Sequence, residues 1–136
     1  MGYCFLYPDH LFRVDPFSIE VCLAPELPAM ACHSNVAQIE VSDAAGLSAS
    51  EVADEVIALT GSGIERSTAV VAGEEVVILH GVPGQDLLRD VLIVRDGQLF
   101  KLRFVLPDPT NAAAVEGFDH LYALVIDSFT FLPRPL

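Results

Sequence analysis

His80 closes an apolar run and is followed by Gly81, a position at a strand end that can line a cleft. Asp86 and Asp90 follow it, and His10 lies far upstream, so any contact between them has to be made by the tertiary fold. A histidine near carboxylates can move a proton or hold a polar ligand. His80, His10 and Asp86 are therefore the candidate ligand-binding residues. Nucleophilic catalysis is poorly provided for. No Gly-x-Ser-x-Gly elbow occurs, and Ser62, although flanked by Gly61 and Gly63, has no strand before it. The same glycines fit a phosphate cradle badly, because phosphate sites use the free amides at the start of a helix and these follow one. Cys32-His33 and Asp119-His120 are adjacent pairs, whereas structural zinc ligands are spaced by two or more residues. No catalytic residue, metal or cofactor is expected. Cys4, Cys22 and Cys32 are three in number and form no CxxC, so at least one thiol is unpaired within the chain. A bridge between two of them stays open, and the simpler reading is buried small hydrophobes.

The elements that would position these residues follow from the apolar pattern. Residues 3–7 read as a strand stopped by Pro8, with a short continuation over 10–14. Residues 17–23 alternate as a half-buried strand, 24–35 read as a loop with Pro25 and Pro28, and 36–41 are the next strand. Ser48 and Glu51 form a capping box ahead of a helix over 49–60, whose Val52, Val56 and Leu59 make one stripe and which ends at Gly61. Strands over 65–71 and 76–80 flank a hairpin at 72–75, and 81–87 form a loop. Strands over 89–95 and 98–106 flank Asp96-Gly97, the strongest short-range hairpin signal in the chain. Thr110 or Asn111 can cap a second helix, in which Val115, Phe118, Tyr122, Val125 and Phe129 recur at intervals of three and four. Connections this short cannot make parallel crossovers, so the class is α+β, with a mainly antiparallel sheet flanked by helices.

The chain has 136 residues, one domain's worth, and is 52% hydrophobic with mean hydropathy +0.48 and formal net charge −12. Seven scattered Lys and Arg supply no basic footprint, which argues against nucleic acid and against an anionic membrane surface. No apolar run reaches the roughly 18 to 20 residues of a membrane-spanning helix, so direct membrane insertion is not expected. The apolar excess instead predicts a buried interface. Lys101 is the single lysine, and lysine is the residue most used to blunt sheet edges. A homodimer is expected, with residues 3–7 and 24–30 as its candidate patches.

GYCFLYP at residues 2–8 resembles the G-Y-S-F-x-Y-P opening of PsbP-like domains, with Cys4 where serine is common. Residues 95–102, RDGQLFKL, resemble that family's hairpin, and 127–131, DSFTF, resemble its closing i-x-S-F-x-F. The resemblance runs over nearly the whole chain, through short apolar motifs. It implies a central antiparallel sheet flanked by helices and interaction work without a shared catalytic site, in a group that takes in PsbP, Ran-binding Mog and DcrB-like domains. The lipoprotein-domain members fit best. In them a signal peptide, a lipidated cysteine and a linker precede the first strand, so residues 1–136 read as a single domain excised from a longer secreted or lipoprotein chain, extracytoplasmic in preference to cytoplasmic. Three functions are open: a non-catalytic binding or assembly module with an unidentified protein partner, a carrier of a small hydrophobic ligand in a cleft between sheet and helix, and a hydrolase using His80 or His10.

Overall fold

The computed structural model describes residues 2–6, 21–22 and 35–133. The elements in chain order are β1 (Tyr3–Cys4), β2 (Val21–Cys22), β3 (Asn35–Asp43), α1 (Ala49–Thr60), β4 (Glu65–Val71), β5 (Glu74–Val82), β6 (Leu88–Arg95), β7 (Gln98–Val105), α2 (Ala112–Ser128) and β8 (Thr130–Phe131). His10, Cys32, His33, most of the expected early strands, Tyr7 of the first dimer patch and the whole of the second, residues 24–30, lie outside the described residues.

Six strands form one antiparallel sheet in the order β2-β3-β7-β6-β5-β4, and β1 pairs antiparallel with β8 in a small second sheet. This is the α+β class expected. Alternation sorts the side chains of each strand to two faces. Ile39, Phe100, Leu102, Phe104, Val91, Ile93 and Val76 point one way and bury against Phe118, Leu121 and Val125 of α2. Val77, Leu79, Leu92 and Leu99 point the other way and bury against Val52 and Ala53 of α1. The sheet is thus the middle of three layers. Each fully buried Phe or Leu in it contributes about 2–3 kcal/mol.

Local chemistry sets the ends of these elements. Ser48 Oγ accepts from the Glu51 amide and Glu51 Oε1 from the Ser48 amide, both at 3.1 Å, which closes the expected capping box of α1. Asn111 caps α2 by accepting from the Ala114 amide at 3.1 Å, while Thr110 turns back to Asp108. Asp96 and Gly97 both have positive φ, 51° and 78°, the type I′ hairpin that Asp-Gly favours.

Among the boundaries that differ from the sequence reading, two belong to β5. The first hairpin turns on Ala72-Gly73 alone, again with positive φ at both residues, so Glu74 and Glu75 belong to β5. At its other end β5 continues through Gly81 to Val82, where a loop is expected, because the chain makes a bulge: His80 pairs with Arg89 and Val82 with Leu88. Gly81 is the extra residue, at φ 89°. Its insertion sends His80 to the α2 face and Val82, two residues on, to the α1 face.

Candidate functional site

The register carries the site. Glu65 pairs with His80, His80 with Arg89 and Arg89 with Phe104, so one row of side chains crosses β4, β5, β6 and β7 on the α2 face. Within this row the Arg89 Nε–H donates to His80 Nδ1 at 3.2 Å. That bond occupies the Nδ1 lone pair and assigns the ring proton to Nε2. The Arg89 guanidinium lies over two rings of α2, its Cζ 4.5 Å from the Tyr122 centroid and 5.1 Å from that of Phe118. Those rings stack on each other, 6.1 Å apart and 8° from parallel, and both meet Phe104 edge-on. Burial pushes the half-buried Tyr122 phenol above its ordinary range, opposed by the charge and hydrogen bonding of Arg89.

A cleft of about 520 Å³ opens beside this row, between the first turns of α2 and the two loops that leave the sheet there. Val115 and Phe118 of α2 face Leu87 of the β5–β6 loop, and Leu106, Pro107 and Pro109 line the side. The Leu106 amide donates to the Leu87 carbonyl at 2.9 Å and so joins the two loops at the cleft wall. His80 and Arg89 supply its polar end, and Asp86, Asp108 and Asp119 its rim. The Asp108 carboxylate is held in a turn, accepting from the Thr110 amide at 2.9 Å and hydroxyl at 2.7 Å, and these bonds lower its pKa from the ordinary aspartate value. A smaller hollow of about 300 Å³ on the other side of the same pair is lined by Glu65, Ser67, Ile78, His80, Arg89 and Tyr122.

Of the sequence-derived candidates, His80 and Asp86 line one cleft, and His10 lies outside the described residues. Asp90 takes no part. Alternation puts it on the α1 face, where it is 1% exposed and accepts two bonds from Arg103, Nε to Oδ1 and Nη2 to Oδ2, both 2.9 Å. Hydrogen bonding to Asp90 holds the Arg103 guanidinium above its ordinary pKa, against desolvation. Asp119 and His120, neighbours in sequence, part company: Asp119 lines the cleft, and both are exposed. Gly61 ends α1 as a cap, with its amide on the Ile57 carbonyl at 3.0 Å. Among the described residues no three His, Cys, Asp or Glu side chains gather closely enough to hold a metal ion. Cys4 is a free, exposed thiol, in place of the buried small hydrophobe expected. No helix among the described residues is long and apolar enough to cross a membrane.

Arg89, Phe118 and Tyr122 are the site residues that the sequence reading passed over. The signal was present in the period-two pattern of β6, where Arg89 shares its parity with the buried Val91 and Ile93. A charge in core register needs a reason, and here it is the aromatic pair above it. The chain matches no model of a known protein family, and no curated protein matches its sequence.

Proposed function

We propose that this domain is a non-catalytic binding module whose recognition site is the cleft between sheet and α2, and that it carries a small amphipathic molecule there. The observation that carries the reading is the cleft itself. Its 520 Å³ falls within the roughly 300–1,000 Å³ of small-molecule sites, and a mostly apolar wall ends in two convergent polar side chains. The histidine at that end favours binding over hydrolysis. Its Nδ1 lone pair is engaged by Arg89, leaving Nε2–H as a donor, whereas a general base needs a free lone pair aimed at substrate.

The PsbP-like resemblance belongs to the same proposal. The two segments that carry it at either end of the chain meet as β1 and β8, Tyr3 opposite Phe131 and Cys4 opposite Thr130. With it come an extracytoplasmic placement, as in lipoprotein domains, and self-association through the β1–β8 side, where Leu6 is 63% and Leu132 45% exposed. A net charge of −12 opposes such a dimer, so association strengthens with salt. Sedimentation velocity showing a monomer at both low and high salt would remove the dimer.

The cleft is tested with Nile red, a neutral apolar fluorophore. Binding is expected in the wild type and is lost in Val115→Trp, which fills the cleft from α2 and leaves the melting temperature within a few degrees. Fluorescence unchanged by that substitution would place the probe elsewhere and sink the reading.

A further inference from the structure

The chain carries 19 Asp and Glu against 7 Lys and Arg, so a cation without a carboxylate partner calls for an explanation. The described basic side chains are Arg66, Arg89, Arg95, Lys101 and Arg103. Arg66 pairs with Asp54, Arg95 with Glu74 and Asp96, Lys101 with Glu40, and Arg103 with Asp90. Arg89 alone among them has no carboxylate among the described residues. Its partners are a histidine nitrogen, the Tyr122 hydroxyl and two aromatic rings.

Arg95 is the internal control. It lies on the same strand and the same face, and its guanidinium covers Phe131 at 4.5 Å, as Arg89 covers Tyr122. Aromatic stacking in this fold is therefore compatible with a carboxylate on the guanidinium edge. Arg95 has two within 4.0 Å, at 3.8 and 3.9 Å. Around Arg89 the acids stand back. Asp86 and Asp119 line the same cleft without pairing to it, and Asp108 is committed to Thr110.

We infer that the cleft takes an apolar monocarboxylate, its alkyl or aryl body against Leu87, Leu106, Val115 and Phe118 and its carboxylate on the terminal nitrogens of Arg89, with His80 Nε2–H as a second donor. The inference rests on the cleft reading and sharpens it. Guanidinium and carboxylate match as a two-pronged, charge-assisted pair. The guanidinium is already oriented by His80 and the two rings, so little side-chain freedom is lost when the ligand arrives. The acidic rim adds selectivity. One negative charge can be neutralised by Arg89, whereas a second would face Asp86, Asp108 and Asp119 with no further cation among the described residues lining the cleft. Phosphate monoesters and dicarboxylates are thereby disfavoured.

The experiment titrates isotope-labelled full chain with octanoate, octanol and octyl phosphate and follows amide shifts at Leu87, Leu106 and Phe118 together with the Arg89 Nε resonance. Octanoate is expected to bind about tenfold tighter than octanol, the worth of one charge-assisted pair, and tighter than octyl phosphate. Arg89→Met keeps the apolar stem over the rings and is expected to reduce octanoate to the affinity of octanol. Should that variant fail to fold, Arg89→Lys, which keeps the charge and loses the fork, is expected to fall between the two. Octanol shifting the cleft residues as tightly as octanoate would overturn the carboxylate and leave the cleft reading standing. No probe shifting those residues would overturn both. Octyl phosphate binding tightest would overturn the monoanion selectivity, and an octanoate advantage that survives Arg89→Met would remove Arg89 from the site.

Discussion

Replacing Arg103 with methionine leaves Asp90 alone in the core. Asp90 is 1% exposed and both of its oxygens are spent on Arg103, in two bonds of 2.9 Å. Methionine supplies neither donor. Breaking a buried pair from one side costs about 3–5 kcal/mol, because an uncompensated charge remains. Here the Arg103 side chain is 28% exposed, so water can reach part of the vacated place and the lower end applies, about 3 kcal/mol. Against a typical domain stability of roughly 5–15 kcal/mol the loss is large. Removing both charges, as Asp90→Leu with Arg103→Met, deletes the penalty along with the pair and is expected within about 1 kcal/mol of wild type. Urea denaturation of the four proteins by circular dichroism gives the coupling energy directly. The reasoning fails if Arg103→Met lies within about 0.5 kcal/mol of wild type, or if the double variant loses as much as the two single ones together. The pair also matters to the cleft: it ties β6 to β7 at the residue next to Arg89, so the double variant asks whether the site needs that pin.

Gly81→Ala places a Cβ 3.3 Å from the Gly63 carbonyl oxygen at a φ of 89°, and is expected to cost about 1–3 kcal/mol in urea unfolding and to shift the His80 ring signals, because the bulge aims that side chain. Ser48→Ala removes the acceptor for the Glu51 amide and should cost about 1 kcal/mol without disturbing the cleft, as measured by thermal melting and by unchanged Phe118 shifts. Tyr122 holds its phenolic proton above the ordinary pKa of 10.0, so the folded state keeps that proton longer than the unfolded chain does; its contribution to stability is complete below pH 10.0 and is lost as pH rises through the folded value. The difference in 295 nm absorbance between wild type and Tyr122→Phe isolates that titration, and a midpoint at or below 10.0 would contradict the burial described.

Sequence signals of short range proved the most legible. The capping box at Ser48 and Glu51, the Asp96-Gly97 turn and the 3.6-residue stripe of α2 each rest on neighbours in the chain, and each is where the pattern puts it. His80 and Asp86 could be singled out because a histidine at a strand end and a carboxylate in the following loop are near in sequence as well. What escaped depends on register. Nothing local says that Arg89 faces Tyr122, thirty-three positions on, or that Asp90, its immediate neighbour, faces the opposite layer. The Gly81 bulge escaped for a related reason: a glycine after a strand reads as its end, and only pairing on both sides of it, His80 with Arg89 and Val82 with Leu88, shows that the strand goes on.

The β1–β8 pair behaves as a clasp under load. The Leu132 amide donates to the Gly2 carbonyl at 2.9 Å, so the chain enters and leaves this part of the fold side by side. Tension applied through the two ends acts on that bond first and peels the two-residue ladder one rung at a time, while the long strands of the six-stranded sheet are not yet loaded. Tyr3 and Phe5 leave with β1, and the aromatic rings that they cover at Phe100 and Phe129 come into water. Pulling the two ends apart thereby exposes an apolar surface before the long strands are loaded.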